Sequence, residues 1–241
     1  MKYVAIDTES SFDPYLREAY SCIEPDQERA RGACRVITAA SAYEFELDEE
    51  GRVSTGPLVS WTAHDHSEAQ ILGQLSNHLI SRPSHVVITW GGASADVVRL
   101  TLACMGHDLP LPAQLQREHS GRWSRQHVDV GAAMTTARTG KYHHLSGILI
   151  RLDIPVGLLL EKACLEQAET PAEWNRLRQH CELDSLFASI AFLAWRRVEG
   201  APGLRVPEPI CALIAGYLRQ RPGCNAEAML AGVGADMAAR V

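Results

Sequence analysis

The run Val86-Val87-Ile88-Thr89-Trp90 constrains the fold more than any other part of the chain. It is continuously apolar, short, and broken by Gly91-Gly92, which reads as a central strand buried on both faces. Such a strand needs cover on both sides, and so a sheet with helices packed against it. The flanking segments supply that cover. Ser67-Glu68-Ala69-Gln70 has the spacing of a capping box, and Ile71, Leu72, Leu75 and Leu79 follow at helical spacing. This predicts a helix of roughly four turns, stopped before Pro83. Beyond the glycines, Asp96 to Met105 resumes a helical pattern that closes at Gly106.

The remaining segments complete the same plan. Tyr3 to Ile6 is a β-rich apolar run that meets Asp7-Thr8-Glu9-Ser10-Ser11, which reads as a buried strand whose tip carries acids. A polar segment extends to about Arg35, and Val36 to Phe45 is a second strand. Asp48-Glu49-Glu50-Gly51-Arg52 has the chemistry of a hairpin turn, with its return strand between Arg52 and Trp61. Pro110 to Gln126 is polar and basic and reads as an exposed loop, and His127 to Val130 as a short strand. Helices are expected around Leu145 to Leu152 and from Ala172 to Val198, with Pro171 at the start of the latter. After Gly200-Ala201-Pro202-Gly203, two amphipathic segments, Pro209 to Arg219 and Ala226 to Ala239, end the sequence. The expected class is α/β: a mixed sheet of three antiparallel strands followed by parallel ones, flanked by helices. This is the element order of the ribonuclease H-like fold, here over residues 1–200, with 201–241 as a C-terminal helical extension.

At 241 residues and 46% hydrophobic content the chain has enough material for a real core, which excludes disorder as the default. The formal net charge of −6 disfavours holding nucleic acid through bulk positive charge, though a local basic groove is compatible with it. Seven cysteines, an odd number with no C-x-x-C pair, argue against a disulfide framework or a structural zinc site. The first acid, Asp7, comes too early for a signal peptide, and no stretch approaches about 20 apolar residues. A cytoplasmic protein with no membrane partner is the expectation.

Three acidic motifs carry chemistry. Asp7 and Glu9, two apart on a strand, project from one face and converge. Taken alone, the pair is a weak signal for a metal, and a solvated strand end is its plainer reading. Asp96 follows the central strand and its glycine break, where an Asp also serves as a helix cap. In His180-Cys181-Glu182-Leu183-Asp184, His180 and Asp184 share a helical face while Glu182 points elsewhere. The apolar pattern of Leu177, Leu183, Leu186, Phe187 and Ile190 places Asp184 at the edge of the core. An ordinary surface pair of His180 and Asp184 is the plainer alternative.

Taken in order, Ile6-Asp7-Thr8-Glu9, then Gly91-Gly92-Ala93-Ser94-Ala95-Asp96, then His180 to Asp184 resemble the DEDD superfamily of 3′–5′ exonucleases. The nearest group is the stand-alone predicted exonucleases related to the proofreading domain of family B DNA polymerases. Gly106-His107-Asp108-Leu109-Pro110 and His127-Val128-Asp129-Val130 add to the similarity, which spans about residues 1–200. The resemblance implies a two-metal phosphodiester hydrolase in which Asp7, Glu9, Asp96 and Asp184 hold two divalent ions. Hard oxygen ligands suit Mg²⁺ or Mn²⁺. His180, with an imidazole pKa near 6.5 in the ordinary case, is suited to accept a proton from the attacking water. The implied substrate is the 3′ end of single-stranded nucleic acid, DNA favoured over RNA, with the terminal nucleotide beside Thr8 and Glu9. Arg117, Arg122, Arg125, Arg138, Lys141, His143 and His144 are candidates for the phosphate path, and Trp123 for stacking a base. A solubilising loop is the plainer reading of the same residues.

The departures from the family pattern are specific. Gly91 stands where the family usually has Asn, Ala95 where it has Phe, and His180 where one branch has Tyr. The histidine branch spaces its residues H-x-x-x-x-D, and position 179 is Gln. These changes support an alternative, a catalytically weakened domain that binds nucleic acid or a protein partner. The pairs His64-x-His66 and His143-His144 lack a zinc-site spacing. The apolar residues of the C-terminal segment, Ile210, Leu213, Ile214, Leu218, Met229, Leu230 and Val233, suit either a partner or second copy, or the domain's own core.

Overall fold

The strand β4 (Val86–Thr89) is buried at every residue. In the computed structural model, which describes residues 1–24, 32–116, 126–135, 143–160 and 168–240, it lies between β1 (Lys2–Phe12) and β5 (His127–Asp129), parallel to both. β1 pairs antiparallel with β2 (Arg35–Leu47), and β2 with β3 (Val53–Thr62). The sheet order is β3-β2-β1-β4-β5, the expected three antiparallel strands followed by parallel ones. The architecture is α/β and ribonuclease H-like.

Side-chain alternation along β1 divides the core in two. Val4 and Ile6 join Ile37, Ala42 and Val87 beneath α2 (Glu68–Ile80) and α3 (Asp96–Gly106). Tyr3 and Ala5 join Tyr43, Phe45 and Ile88 beneath α7 (Pro171–Val198), a helix of 28 residues. Both α2 and α7 begin with complete capping boxes, Ser67 with Gln70 and Thr170 with Glu173. The short helices α4 (Val130–Ala133), α5 (Leu145–Arg151) and α6 (Val156–Leu160) lie between β5 and α7 along the chain.

Two local expectations are corrected. β1 does not end at Ile6: past the acids it continues to pair, Ser10 with Ile37, Ser11 with Val36 and Phe12 with Arg35, after a bulge at Glu9/Ser10. Asp7 and Glu9 therefore sit inside a strand, because backbone pairing with β2 outweighs the polar character of the side chains. The polar segment after β1 contains α1 (Pro14–Ser21), capped by Asp13, whose carboxylate accepts from the Leu16 N–H at 2.8 Å. This helix is only eight residues long and buries none of them, so its apolar positions Leu16, Ala19 and Tyr20 make a signal of barely two turns.

The C-terminal helix α8 (Pro207–Gln220) lies against β3 and α7, and α9 (Glu227–Ala238) lies against α8 and α6. Ile210, Leu213, Ile214, Leu230 and Val233 are buried in the same core as Tyr3 and Phe187, so the apolar face of this segment covers the chain's own interior. The Tyr43 hydroxyl donates to the Leu213 carbonyl at 2.7 Å. Glu182, fully buried on α7, accepts two bonds from Arg221 at 2.8 and 2.9 Å and a third from the Ser60 hydroxyl. The six cysteines among the described residues are free thiols. Among those residues, too, no helix is long and apolar enough to cross a membrane.

Candidate metal centre

The face of β1 that carries Tyr3 and Ala5 continues through Asp7 and Glu9, and α7 crosses it. One turn of α7 brings His180 and Asp184 to that face. His180 Nε2 lies 3.3 Å from Asp184 Oδ2 and 3.7 Å from Glu9 Oε1. One donor atom from each of Glu9, His180 and Asp184 falls within 4.8 Å of the others, and all three side chains are largely buried. Between His180 and Asp184, Cys181 is fully enclosed, and its thiol donates to the Asp7 carbonyl at 3.4 Å. Burial pushes that thiol well up, and the charges of Asp7, Glu9 and Asp184 push it further. The charges of all three carboxylates thus reach one buried thiol.

Asp96 approaches from the other side of the sheet. It is the first residue of α3, and the cap position before it is Ala95, so its side chain does not cap the helix. Instead Oδ1 accepts the Thr8 hydroxyl at 2.8 Å and lies 3.7 Å from Arg99. Only 6% of Asp96 is exposed. Burial raises its carboxyl to about 6, opposed by the Thr8 hydroxyl and Arg99 and reinforced by the charges of Asp184 and Asp129. The influence of Asp184 ties Asp96 to the cluster on α7. Thr8 is itself buried, with its hydroxyl committed to Asp96.

The turn that delivers Asp96 is built on two glycines. Gly91 has φ of 66°, a conformation that Gly adopts freely. A Cβ at Gly92 would lie 2.4 Å from the Thr89 side chain, so that position admits no larger residue without movement. Asp129, at the end of β5, accepts the N–H groups of Gly91 at 2.8 Å, Ala93 at 2.9 Å and Ala132 at 3.0 Å. Sequence reasoning assigned Asp129 no role, since the sequence shows only an acid ending a short strand.

Other candidates fall elsewhere. Arg117, Arg122, Trp123, Arg125, Arg138 and Lys141 lie outside the described residues. His144 caps α5 by accepting the Ser146 N–H at 3.3 Å, and the His143 carbonyl accepts from Trp90 Nε1 at 3.2 Å. His64 stacks on Trp174. Glu9 and Asp184 supply hard oxygen atoms of the kind that suit a divalent cation, with the His180 imidazole beside them.

No family model matches the chain, and no curated protein does. Among solved structures, the fold is similar to that of the family B DNA polymerase from the hyperthermophilic archaeon Pyrobaculum calidifontis, with a TM-score of 0.53 and 12% identity. The match covers 91% of this chain and 29% of the polymerase. At that identity the two share a fold, and the chain spans under a third of the polymerase's length.

Proposed function

We propose that the protein is a metal-dependent 3′–5′ exonuclease acting on the 3′ end of single-stranded nucleic acid, with DNA favoured because the structural neighbour is a DNA polymerase. The observation that carries this reading is the convergence of Glu9, His180 and Asp184 donor atoms within 4.8 Å, with Asp7 on the same strand face and Asp96 electrostatically linked to Asp184. In this reading Asp7, Glu9, Asp96 and Asp184 hold two divalent ions, Mg²⁺ or Mn²⁺. Such ions, when bound, supply an activated water at neutral pH and offset charge on the phosphate and leaving group. His180, facing both Glu9 and Asp184, accepts the proton of the attacking water and passes it to solvent. Bare carboxylates would repel a phosphate, and ions held there would offset that charge, so a net charge of −6 does not by itself bar a strand end from the site.

The deciding experiment is digestion of 5′-labelled single- and double-stranded DNA and RNA with Mg²⁺, Mn²⁺ or EDTA. Stepwise shortening from the 3′ end, abolished by EDTA and in Asp184→Ala, is the expected result. Binding of the strand without release of mononucleotides would instead identify a binding module.

A further inference from the structure

We propose that Asp129 is a positioning residue: its carboxylate anchors the turn after β4 and so holds Asp96 against Thr8. The inference deepens the nuclease reading above and rests on it only for the metal readout below. Thr89, the last residue of β4, is paired with Asp129 in parallel register, so Asp129 stands beside the point where the chain leaves the sheet. Its Oδ1 accepts from Gly91 and Ala132, and its Oδ2 from Ala93. Capping α4 requires only the bond from Ala132. The other two bonds cross to a different segment, 38 and 36 residues earlier in the chain, and have no part in α4.

The segment they hold is tied together from inside. The Gly91 carbonyl accepts from the Ser94 N–H at 3.1 Å and the Ser94 hydroxyl at 2.9 Å, and the Gly92 carbonyl from Val97 N–H at 2.8 Å. The turn is thus a small unit that leads directly into the first residue of α3, Asp96. Asp129 fixes that unit to the sheet, while Thr8 supplies the bond that receives the Asp96 carboxylate. Without the Asp129 carboxylate, two turn N–H groups lose their acceptor, and Asp96 is steered by the Thr8 hydroxyl and the start of α3. Asp129 is therefore assigned an anchoring role separate from the ligand set, with backbone groups bonded to both of its oxygens.

The test compares wild type with Asp129→Ala and Asp129→Asn, the latter keeping one carbonyl oxygen but placing an NH₂ where Ala93 donates. Amide hydrogen exchange is read over residues 90–97 and over β1–β2, and Mn²⁺ affinity by titration with EPR detection. For Asp129→Ala, exchange at Gly91 and Ala93 should accelerate at least about tenfold while β1–β2 protection is unchanged. Mn²⁺ affinity should fall about 10- to 100-fold, with Asp129→Asn in between. Unchanged exchange at Gly91 and Ala93 overturns the anchor, and accelerated exchange with Mn²⁺ affinity within twofold of wild type overturns the positioning role. If Asp129→Ala does not fold, Asp129→Asn is held to the same two criteria. Wild type that binds no Mn²⁺ refutes the nuclease reading instead. In that case a crystal structure of the variant decides the positioning role, which fails if Asp96 stays bonded to Thr8.

Discussion

The Asp96 carboxyl, raised to about 6 chiefly by burial, keeps a proton that an unfolded chain releases near pH 4. The folded chain therefore binds more protons between those values, and stability falls as pH rises through 6. The rise from 3.8 to about 6 corresponds to about 3 kcal/mol at neutral pH. Asp96→Asn stays neutral and still accepts the Thr8 hydroxyl. The metal-free variant is expected to melt several degrees above metal-free wild type at pH 7, and the gap should close as pH falls below the unfolded value of 3.8, as read by calorimetry. Added Mn²⁺ should raise the melting temperature of wild type and leave the variant nearly unmoved. His180 belongs to the same scale. His180→Ala should lose about 10²- to 10⁴-fold in cleavage rate, as expected on removing a general base. Wild-type cleavage by the variant would assign the proton transfer to another group. The acids at 7, 9 and 184 were legible as residues because their spacings follow strand and helix periods. Asp129 was not, because its partners are backbone groups of a segment remote in sequence.

Among the elements, the turn between β4 and α3 decides the most. Gly92→Ala would set a Cβ 2.4 Å from Thr89, a residue with no exposure whose hydroxyl pairs with His127 Nε2 at 2.9 Å. Neither partner can yield without breaking that buried contact, so the turn must move. The expected cost is about 1–3 kcal/mol in urea denaturation, with a loss of at least about tenfold in kcat because Asp96 moves with it. Elements with a strong local signal, such as α2 with its capping box, were readable to within a residue or two. The extent of β1 was not, because Ser10 to Phe12 is held in the strand by its partner β2 and not by its own composition. Nor was α1, whose Asp13-Pro14 start is a sound helix signal but whose eight residues give the apolar pattern barely two turns to repeat.

For the whole molecule, the join between α7 and α8 carries a fully buried carboxylate. Arg221 supplies both of its charged bonds, and the Ser60 hydroxyl closes the set. Arg221→Ala leaves Glu182 charged and unpaired in the core, at an expected cost of about 3–5 kcal/mol by chemical denaturation. The double variant Glu182→Leu with Arg221→Met should recover most of that loss, since an apolar pair of similar volume removes the stranded charge. A single variant as stable as wild type would show that this ion pair does not hold the C-terminal helices to the sheet.

The fold class and the order of the acidic motifs were determined by the sequence itself. Strand and helix periods are local, and a short run apolar on both faces admits few architectures. What the tertiary structure alone decided is the pairing of segments far apart in the chain. Thr8 with Asp96, Glu9 with His180, Asp129 with the Gly91 turn and Glu182 with Arg221 are contacts between residues 36 to 171 positions apart. No local period encodes them. They exist because the sheet order sets β1 between β2 and β4, and α7 then crosses the strand that carries the acids.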